Sequence, residues 1–352
     1  MGSTAPGASA RGSSTAASST AALAQLVRVV SGPLMFSHPL SRQLEGWWKE
    51  HGADASSAAW QRYLVELESL LGIKLNEIGE EHSNTGADGD KRFGMSKAAG
   101  CTRQAALKFL GHKGEPFTGS TLMTFHIGHL LECSAVATMR AVGYNVGGTQ
   151  EPVRIDPFMH SYSDGIIKDF DERGDAILSV KTAGYKKSGM VRGKPLRYGF
   201  PALPFDGIRK AQPSWWAQAQ AEMHGSGIYR CIILVVAKDI VKAMDKDLYL
   251  MGDTGNGSLT FYAEMIEYDQ EFCDNQLLPV WSNVWDSVTD GKAGPAWYFN
   301  GSTVTYVRLP KPGDIDVGWG GPNQAATGSF NPCGGCDFGL VCKQQLAQEY
   351  RR

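Results

Sequence analysis

An acidic residue and a lysine in the middle of the chain have the types and spacing of a metal-dependent phosphodiesterase site. Asp164 precedes Gly165, and Ser179 stands two residues before Lys181. Alternate side chains of a strand share a face, so Ser179 and Lys181 project together, and a hairpin would place Asp164 across from them. A carboxylate is a hard ligand for Mg²⁺, and a lysine can orient water or stabilise developing phosphate charge.

Four of the seven cysteines form a second candidate group. Cys333, Cys336 and Cys342 lie close together near the C-terminus, and Cys101 lies far upstream. Grouped thiolates suit an iron–sulfur cluster or zinc, and the C-terminal three alone do not choose between them. The other three cysteines, in apolar surroundings, are predicted to be buried core thiols: Cys133, Cys231 and Cys273.

The elements that must position these residues follow from the hydrophobic periodicity. Helices are predicted within 22–80 and at 101–111, 121–142 and 213–225, with Gly143 as a stop signal. Strands are predicted at 162–170, 175–182, 229–237, 247–251, 258–267 and 303–308. The first two strands flank a turn over 171–174, and residues 184–212, rich in Gly, Pro and basic residues, are predicted to form a long loop. The order helix, hairpin, helix, strand predicts an α/β fold with a mixed sheet flanked by helices.

Composition restricts the classes of protein that the chain can belong to. With 352 residues and 42% apolar residues, it can bury a large core. The formal net charge of −2 means that affinity for nucleic acid must come from a local basic patch. We expect a disordered tail over residues 1–21, reduced thiols, a cytoplasmic setting and no membrane span, with organellar targeting as a lower-ranked alternative.

Several motifs together resemble the PD-(D/E)XK nuclease superfamily, in the exonuclease branch that contains lambda-type, RecB-type and CRISPR-associated Fe–S nucleases. Asp164-Gly165 and Lys181-Thr182 match its central motifs, and Glu132 matches the acidic position of its first helix. Gln218 matches a helix in which Gln is followed four residues later by Tyr, here Glu222. Residues 96–103 and 333–342 resemble the segments that carry the cysteines in the Fe–S members. The resemblance covers residues 95–343.

The resemblance implies a restriction-endonuclease-like fold and a set of roles. The nuclease core would occupy 95–310, after a helical region over 22–90, and residues 311–352 would close onto Cys101. Glu132, Asp164 and the carbonyl of Val180 would bind Mg²⁺ or Mn²⁺, with His129 as a further candidate ligand. Lys181 would activate water, and Gln218 would position substrate or water. Cys101 and the C-terminal three cysteines would bind a [4Fe–4S] cluster, with zinc as the runner-up.

A local basic excess follows Lys181 and predicts a contact with the DNA backbone. Its candidate DNA-binding residues are Lys186, Lys187, Arg192, Lys194 and Arg197. The branch of the superfamily implies an exonuclease acting in recombination, repair or phage DNA processing, in a bacterial or phage-infected cell. DNA is the expected partner, and a recombination or single-strand-binding protein is a further candidate.

Ser179 departs from the family pattern, which has Asp or Glu at this position. A serine hydroxyl is a neutral, weak metal ligand, so the chain would have lost one carboxylate from its site. The alternative function is therefore a weakened or inactive DNA-binding or scaffold protein of the same fold. A third possibility is that Ser179 is an engineered substitution that silences an enzyme. If the site is active, Glu222 or His129 is the first candidate for the missing ligand, and otherwise Ser179→Glu should raise cleavage.

Overall fold

The computed structural model describes most of the region between His38 and Arg308. The described residues are 38–52, 54–81, 92–95, 98, 100–112, 114, 118–149, 151–156, 158–191, 194–238, 260–294, 297–300, 305–308 and 342. The predicted tail over 1–21, the predicted strand at 247–251 and three predicted site residues, Arg192, Cys333 and Cys336, lie outside them.

Seven helices of eight or more residues occur among the described residues. They are α1 Leu40–His51, α2 Ala58–Glu81, α3 Thr102–Phe109, α4 Gly119–Val142, α5 Leu203–Ala211, α6 Pro213–Ser226 and α7 Leu278–Thr289. The side chain of Thr118 accepts a hydrogen bond from the Thr121 N–H at the start of α4, which is the usual role of an N-cap threonine. Helix α4 ends at Gly143, whose φ of 108° suits glycine, so the predicted stop is confirmed.

The central sheet has five strands in the order β10-β9-β6-β5-β2. These strands are β2 Asn145–Gly147, β5 Gly165–Asp171, β6 Gly174–Ala183, β9 Arg230–Ala237 and β10 Phe261–Glu267. Strands β6 and β9 are parallel, and the other neighbours are antiparallel. The predicted α/β fold with a mixed sheet flanked by helices is therefore confirmed, and it is consistent with a restriction-endonuclease-like fold.

Smaller sheets surround the central one. A three-stranded sheet has the order β1-β4-β3, and two hairpins pair β7 with β8 and β11 with β12. Their strands are β1 Phe93–Gly94, β3 Glu151–Ile155, β4 Met159–Ser163, β7 Tyr185–Val191, β8 Lys194–Gly199, β11 Trp297–Asn300 and β12 Thr305–Arg308. Residues 162 and 163 thus belong to β4 and not to the hairpin strand that was predicted from 162 to 170.

The two faces of the central sheet bury separate hydrophobic clusters. Ile177 of β6 packs with residues of α6 and α7, whereas its neighbour Leu178 packs with residues of α1, α2 and α4. This is the alternation expected of a strand with helices on both sides. All eight residues of β9 are buried, which explains the uninterrupted apolar run from Cys231 to Ala237.

The N-terminal helices α1 and α2 join the core through aromatic side chains. Trp47 and Trp60 stack with ring centroids 6.3 Å apart, and Tyr63 contacts both rings. The indole N–H of Trp48 donates a hydrogen bond to Thr138 Oγ1 of α4 at 3.1 Å. The regularly spaced aromatic residues of this region therefore serve packing.

The prediction of a long loop over 184–212 is wrong. The segment forms the antiparallel hairpin β7–β8 and then helix α5. Gly and Pro indicated a loop, but a two-stranded hairpin has open edges that tolerate a proline such as Pro195. Within the described part of the chain, no helix combines the length and the apolar character needed to cross a bilayer.

Candidate metal-dependent active site

The hairpin β5–β6 sets the register of the candidate site. Gly165 pairs with Leu178, so Asp164 comes opposite Ser179 one step further along the ladder. The Asp164 carboxylate accepts a hydrogen bond from the Val180 N–H at 2.7 Å. Glycine is required after Asp164, because a Cβ on Gly165 would lie 2.8 Å from Val146 Cγ1. The structure therefore brings Asp164, Ser179 and Lys181 to the same face of the hairpin, as the alternation of strand residues predicted.

A cavity of about 630 Å³ opens where the parallel strands β6 and β9 end. The carboxyl ends of parallel strands are the usual place for ligand sites in α/β sheets. Its lining residues are Lys108, Thr124, Phe125, Gly128, His129, Glu132, Val180, Lys181, Thr182, Trp215 and Lys238. Glu132 and His129 of α4, which were predicted to bind metal, thus share one cavity with Lys181, which was predicted to activate water.

Glu132 and His129 lie one turn apart on α4, on the side that faces the end of β6. The distance between His129 Nδ1 and Glu132 Oε2 is 3.7 Å. Residues three apart on a helix are neighbours on its surface, which is the arrangement expected from their spacing. Both side chains are mostly shielded, with 19% and 17% of their surface exposed.

Asp164 lies within electrostatic range of two other carboxylates, Glu132 and Glu222. As a residue it is partly exposed, but its carboxyl group is surrounded by protein atoms. Burial, followed by the charge of Glu132, raises its pKa to about 7, although Lys181 and the Val180 N–H oppose the rise and Glu222 adds to it. A buried group with like charges beside it is unfavourable for folding and is a common mark of a functional site.

Helix α6 contributes Gln218 and Glu222 to the same face of the sheet as Lys181. Glu222 is buried, and its Oε1 accepts hydrogen bonds from Ser161 Oγ and Gln218 Nε2, each at 2.8 Å. Burial raises the pKa of Glu222, and the charge of Lys181 opposes that rise. Gln218 thus holds Glu222 in place, a contact that their spacing of four residues on the helix allows. The sequence had instead led us to predict that Gln218 positions substrate or water.

Three lysines line the cavity and give it a basic character. Lys108 comes from α3, Lys181 from β6, and Lys238 follows β9. Lys108 was not among the predicted site residues, and neither were Phe125 and Trp215. Nothing in the local sequence marks them, because the fold brings α3, α4 and α6 to the mouth of one cavity.

The donors around the cavity are suited to a hard divalent cation. Carboxylate and carbonyl oxygens of Glu132, Asp164 and Val180 are the ligands that Mg²⁺ and Mn²⁺ prefer. The buried Oε2 atom of Glu222 has no hydrogen-bond partner among the described residues. In the described part of the chain, no three His, Cys, Asp or Glu side chains are already gathered at ligand distance. The residues therefore fit such a cation in type and charge, and binding would have to draw the carboxylates together.

The other predicted sites are described only in part. Cys101 is buried and immediately precedes α3, and Cys342 packs against the cluster that contains Ile177. Lys186 and Lys187 lie on β7, and Lys194 and Arg197 on β8, which places four of the five predicted DNA-binding residues on one hairpin. Binding of a cluster by the cysteines and of DNA by the hairpin both stay predictions.

Comparison with known proteins gives only distant similarity. No protein-family model matches the chain, and no curated protein matches it. Among solved structures, the chain is similar to the alkaline exonuclease LHK-Exo from Laribacter hongkongensis, with 11% identity and a TM-score of 0.35. The complex of LHK-Exo with dAMP gives 13% identity and a TM-score of 0.36. Each match covers 57% of this chain and 89% of the other. Similarity at this level does not transfer a function to the chain.

Proposed function

We propose that this protein is a metal-dependent DNA nuclease that hydrolyses phosphodiester bonds. The observation that carries the proposal is the cavity at the end of β6, where Glu132, Val180 and Lys181 meet beside the buried carboxylate of Asp164. Oxygen ligands for a hard cation and basic groups for a phosphate thereby share one opening. The sequence resemblance favours an exonuclease of recombination, repair or phage DNA processing.

The residues of the chain divide the chemistry between them. Glu132, Asp164 and the Val180 carbonyl would hold Mg²⁺ or Mn²⁺, and His129 lies beside Glu132 as a further candidate ligand. When bound, the cation would lower the pKa of a water and polarise the phosphate. Lys181 donates hydrogen bonds that orient the attacking water and stabilise charge on the phosphate oxygens. The hydrogen bond from Val180 N–H fixes the Asp164 carboxylate, so the end of the hairpin is held in place.

Basic residues around the cavity would bind the DNA backbone. Lys108 and Lys238 line the cavity, and four residues of the predicted DNA-binding set have their positions on hairpin β7–β8. Contacts to phosphates fix the position of a protein on DNA without reading its sequence. We therefore expect binding that depends strongly on salt and weakly on sequence.

A [4Fe–4S] cluster bound by Cys101, Cys333, Cys336 and Cys342 is part of the proposal, with zinc as the alternative. A cluster held by one upstream and three downstream cysteines would connect the two ends of the nuclease core. Such a site would contribute to folding, because ligands far apart in sequence come together only in the folded chain.

The test is digestion of end-labelled linear DNA with Mn²⁺ or Mg²⁺, in parallel with EDTA. Asp164→Asn removes a proposed ligand charge, and Asp290→Asn, at an exposed aspartate that follows α7, is the matched control. We expect cleavage that requires the cation, is lost with Asp164→Asn and is unchanged with Asp290→Asn. DNA binding without cleavage under any of these conditions would refute the nuclease and support a scaffold role.

A further inference from the structure

The environment of Glu222 differs from that of an ordinary buried structural carboxylate. One of its oxygens, Oε1, accepts two hydrogen bonds, from Ser161 and Gln218. The other, Oε2, is buried and has no hydrogen-bond partner among the described residues. Leaving a buried charged oxygen unsatisfied is unfavourable for folding, so a carboxylate kept only for packing would be expected to have both oxygens satisfied.

Glu222 lies on the face of the sheet where the family carboxylate is missing. Ile177 and Ala183 of β6 pack with α6, so the residues between them that share their face, Ser179 and Lys181, also point toward that helix. Asp164 and Lys181 both interact electrostatically with Glu222. The carboxylate of Glu222 therefore lies on the side of β6 where Ser179 offers only a hydroxyl, within electrostatic range of Asp164 and Lys181.

Pairing with Lys181 does not account for Glu222. Both side chains are described, and within the described chain the two do not form an ion pair at contact distance, whereas Arg230 and Asp171 do so at 2.6 Å. The donors that Glu222 does have, a hydroxyl and an amide, are neutral. A buried carboxylate with neutral donors on one oxygen has the other oxygen available for a cation.

We propose that Glu222 supplies, from helix α6, the carboxylate ligand that Ser179 lacks on strand β6. Ser161 and Gln218 hold Oε1 and so position the side chain, and Oε2 is the atom available to the divalent cation. This inference rests on the proposed function, since it assigns a further ligand of the same site. With Glu222 as a ligand, the site has not lost a carboxylate at Ser179, because the carboxylate comes from helix α6 instead of strand β6.

The consequence for Ser179→Glu is specific. If position 179 were a vacant ligand position, the substitution should raise cleavage by roughly tenfold, corresponding to about 1.4 kcal/mol of transition-state stabilisation. If Glu222 already serves as the ligand, a glutamate at the buried position 179 adds another like charge beside Asp164, and cleavage should not rise.

The test is Mn²⁺ binding by isothermal titration calorimetry, with cleavage of linear DNA measured on the same samples. We expect Glu222→Gln to weaken Mn²⁺ binding at least about tenfold, the effect of about 1.4 kcal/mol on an equilibrium constant. Adding Ser179→Glu or Ser179→Asp to Glu222→Gln should restore binding to within about threefold of the natural chain, less than 1 kcal/mol by the same conversion. Glu264→Gln, at a largely buried carboxylate on β10 that accepts from the Ile208 N–H, is the matched control and should leave binding unchanged.

The possible results separate this inference from the proposed function. Metal binding and cleavage by the natural chain, both unaffected by Glu222→Gln, would overturn the ligand role of Glu222 and leave the nuclease standing. Loss of binding in Glu222→Gln that neither substitution at Ser179 restores would also overturn it, because a merely structural role predicts that pattern. A natural chain that neither binds Mn²⁺ nor cleaves DNA would overturn both.

Discussion

Removal of the Asp164 charge should stabilise the metal-free protein at high pH. The pKa of this carboxyl group is raised from the ordinary value of 3.8 to about 7, chiefly by burial and by the charge of Glu132. Between these two pH values the folded chain holds a proton that the unfolded chain has released, so stability falls as the pH rises. The loss of folding stability caused by ionising Asp164 is therefore absent well below pH 3.8 and fully present above about pH 7.

The size of the effect follows from the difference between the two pKa values. About three pH units at 1.36 kcal/mol each give an upper value of about 4 kcal/mol at pH 8. Because the charges of Glu132 and Glu222 also act on Asp164 and change with pH, we expect about half of this or more, roughly 2–4 kcal/mol. Asparagine keeps an oxygen that can accept from the Val180 N–H, so the hydrogen bond at 2.7 Å is preserved in the variant.

The assay is thermal unfolding in EDTA at pH 8 and at pH 4.5. Asp164→Asn should raise the melting temperature by roughly 4–8 °C at pH 8, at about 2 °C per kcal/mol for a large domain. The rise in melting temperature should shrink to about a quarter of that value at pH 4.5, because ionisation of Asp164 destabilises the folded chain only slightly at this pH. Asp290→Asn, at an exposed position, should change neither value. A melting temperature that falls in Asp164→Asn at pH 8 would show that the carboxylate stabilises the fold and would refute the reasoning.

Two further predictions concern the DNA-binding hairpin and the cysteines. Neutralising Lys186 and Lys187 together should weaken binding similarly on unrelated DNA sequences and reduce the salt slope by about two, as expected for the loss of two phosphate contacts in a filter-binding series. An effect on only one sequence would contradict backbone binding. Anaerobically purified protein should be brown, and Cys336→Ser should lower both its iron content and its melting temperature, because cluster binding contributes to folding. Stoichiometric zinc without iron would contradict the cluster.

Much of the central sheet could be predicted because its sequence signals are local. The alternation around Ser179 and Lys181, the turn over 171–174 and the apolar run of β9 each have a direct structural counterpart. Gly143 likewise ends α4 where its conformational freedom is needed. These signals predicted the order helix, hairpin, helix, strand and the meeting of Asp164 with Lys181 across the hairpin. The place of α4 beside them was implied by the family resemblance and not by the local signals.

The parts that were not predicted depend on contacts distant in sequence. Strands β3 and β4 carry few apolar residues and are defined by pairing with each other, and the hairpin β7–β8 was concealed by Gly and Pro. Lys108 and Trp215 reach the cavity only through the packing of their helices. The position of Glu222 depends on Ser161, which lies 61 residues away. No local sequence pattern could have revealed that one oxygen of Glu222 accepts hydrogen bonds while the other has no hydrogen-bond partner among the described residues.

Cleavage by Lys181→Met and by the natural chain, compared under single-turnover conditions, tests the central claim most directly. The protein should be in excess over the labelled linear DNA and above its binding constant for that DNA, and Mn²⁺ should be saturating. Lys168→Met, at an exposed lysine paired with Asp175, is the matched control. We expect the cleavage rate to fall by about 10²–10³-fold in Lys181→Met, the range seen when one charge-stabilising donor is removed, with DNA binding nearly unchanged. The control should cleave at the natural rate. Equal cleavage by Lys181→Met and the natural chain would contradict a nuclease site at the end of β6.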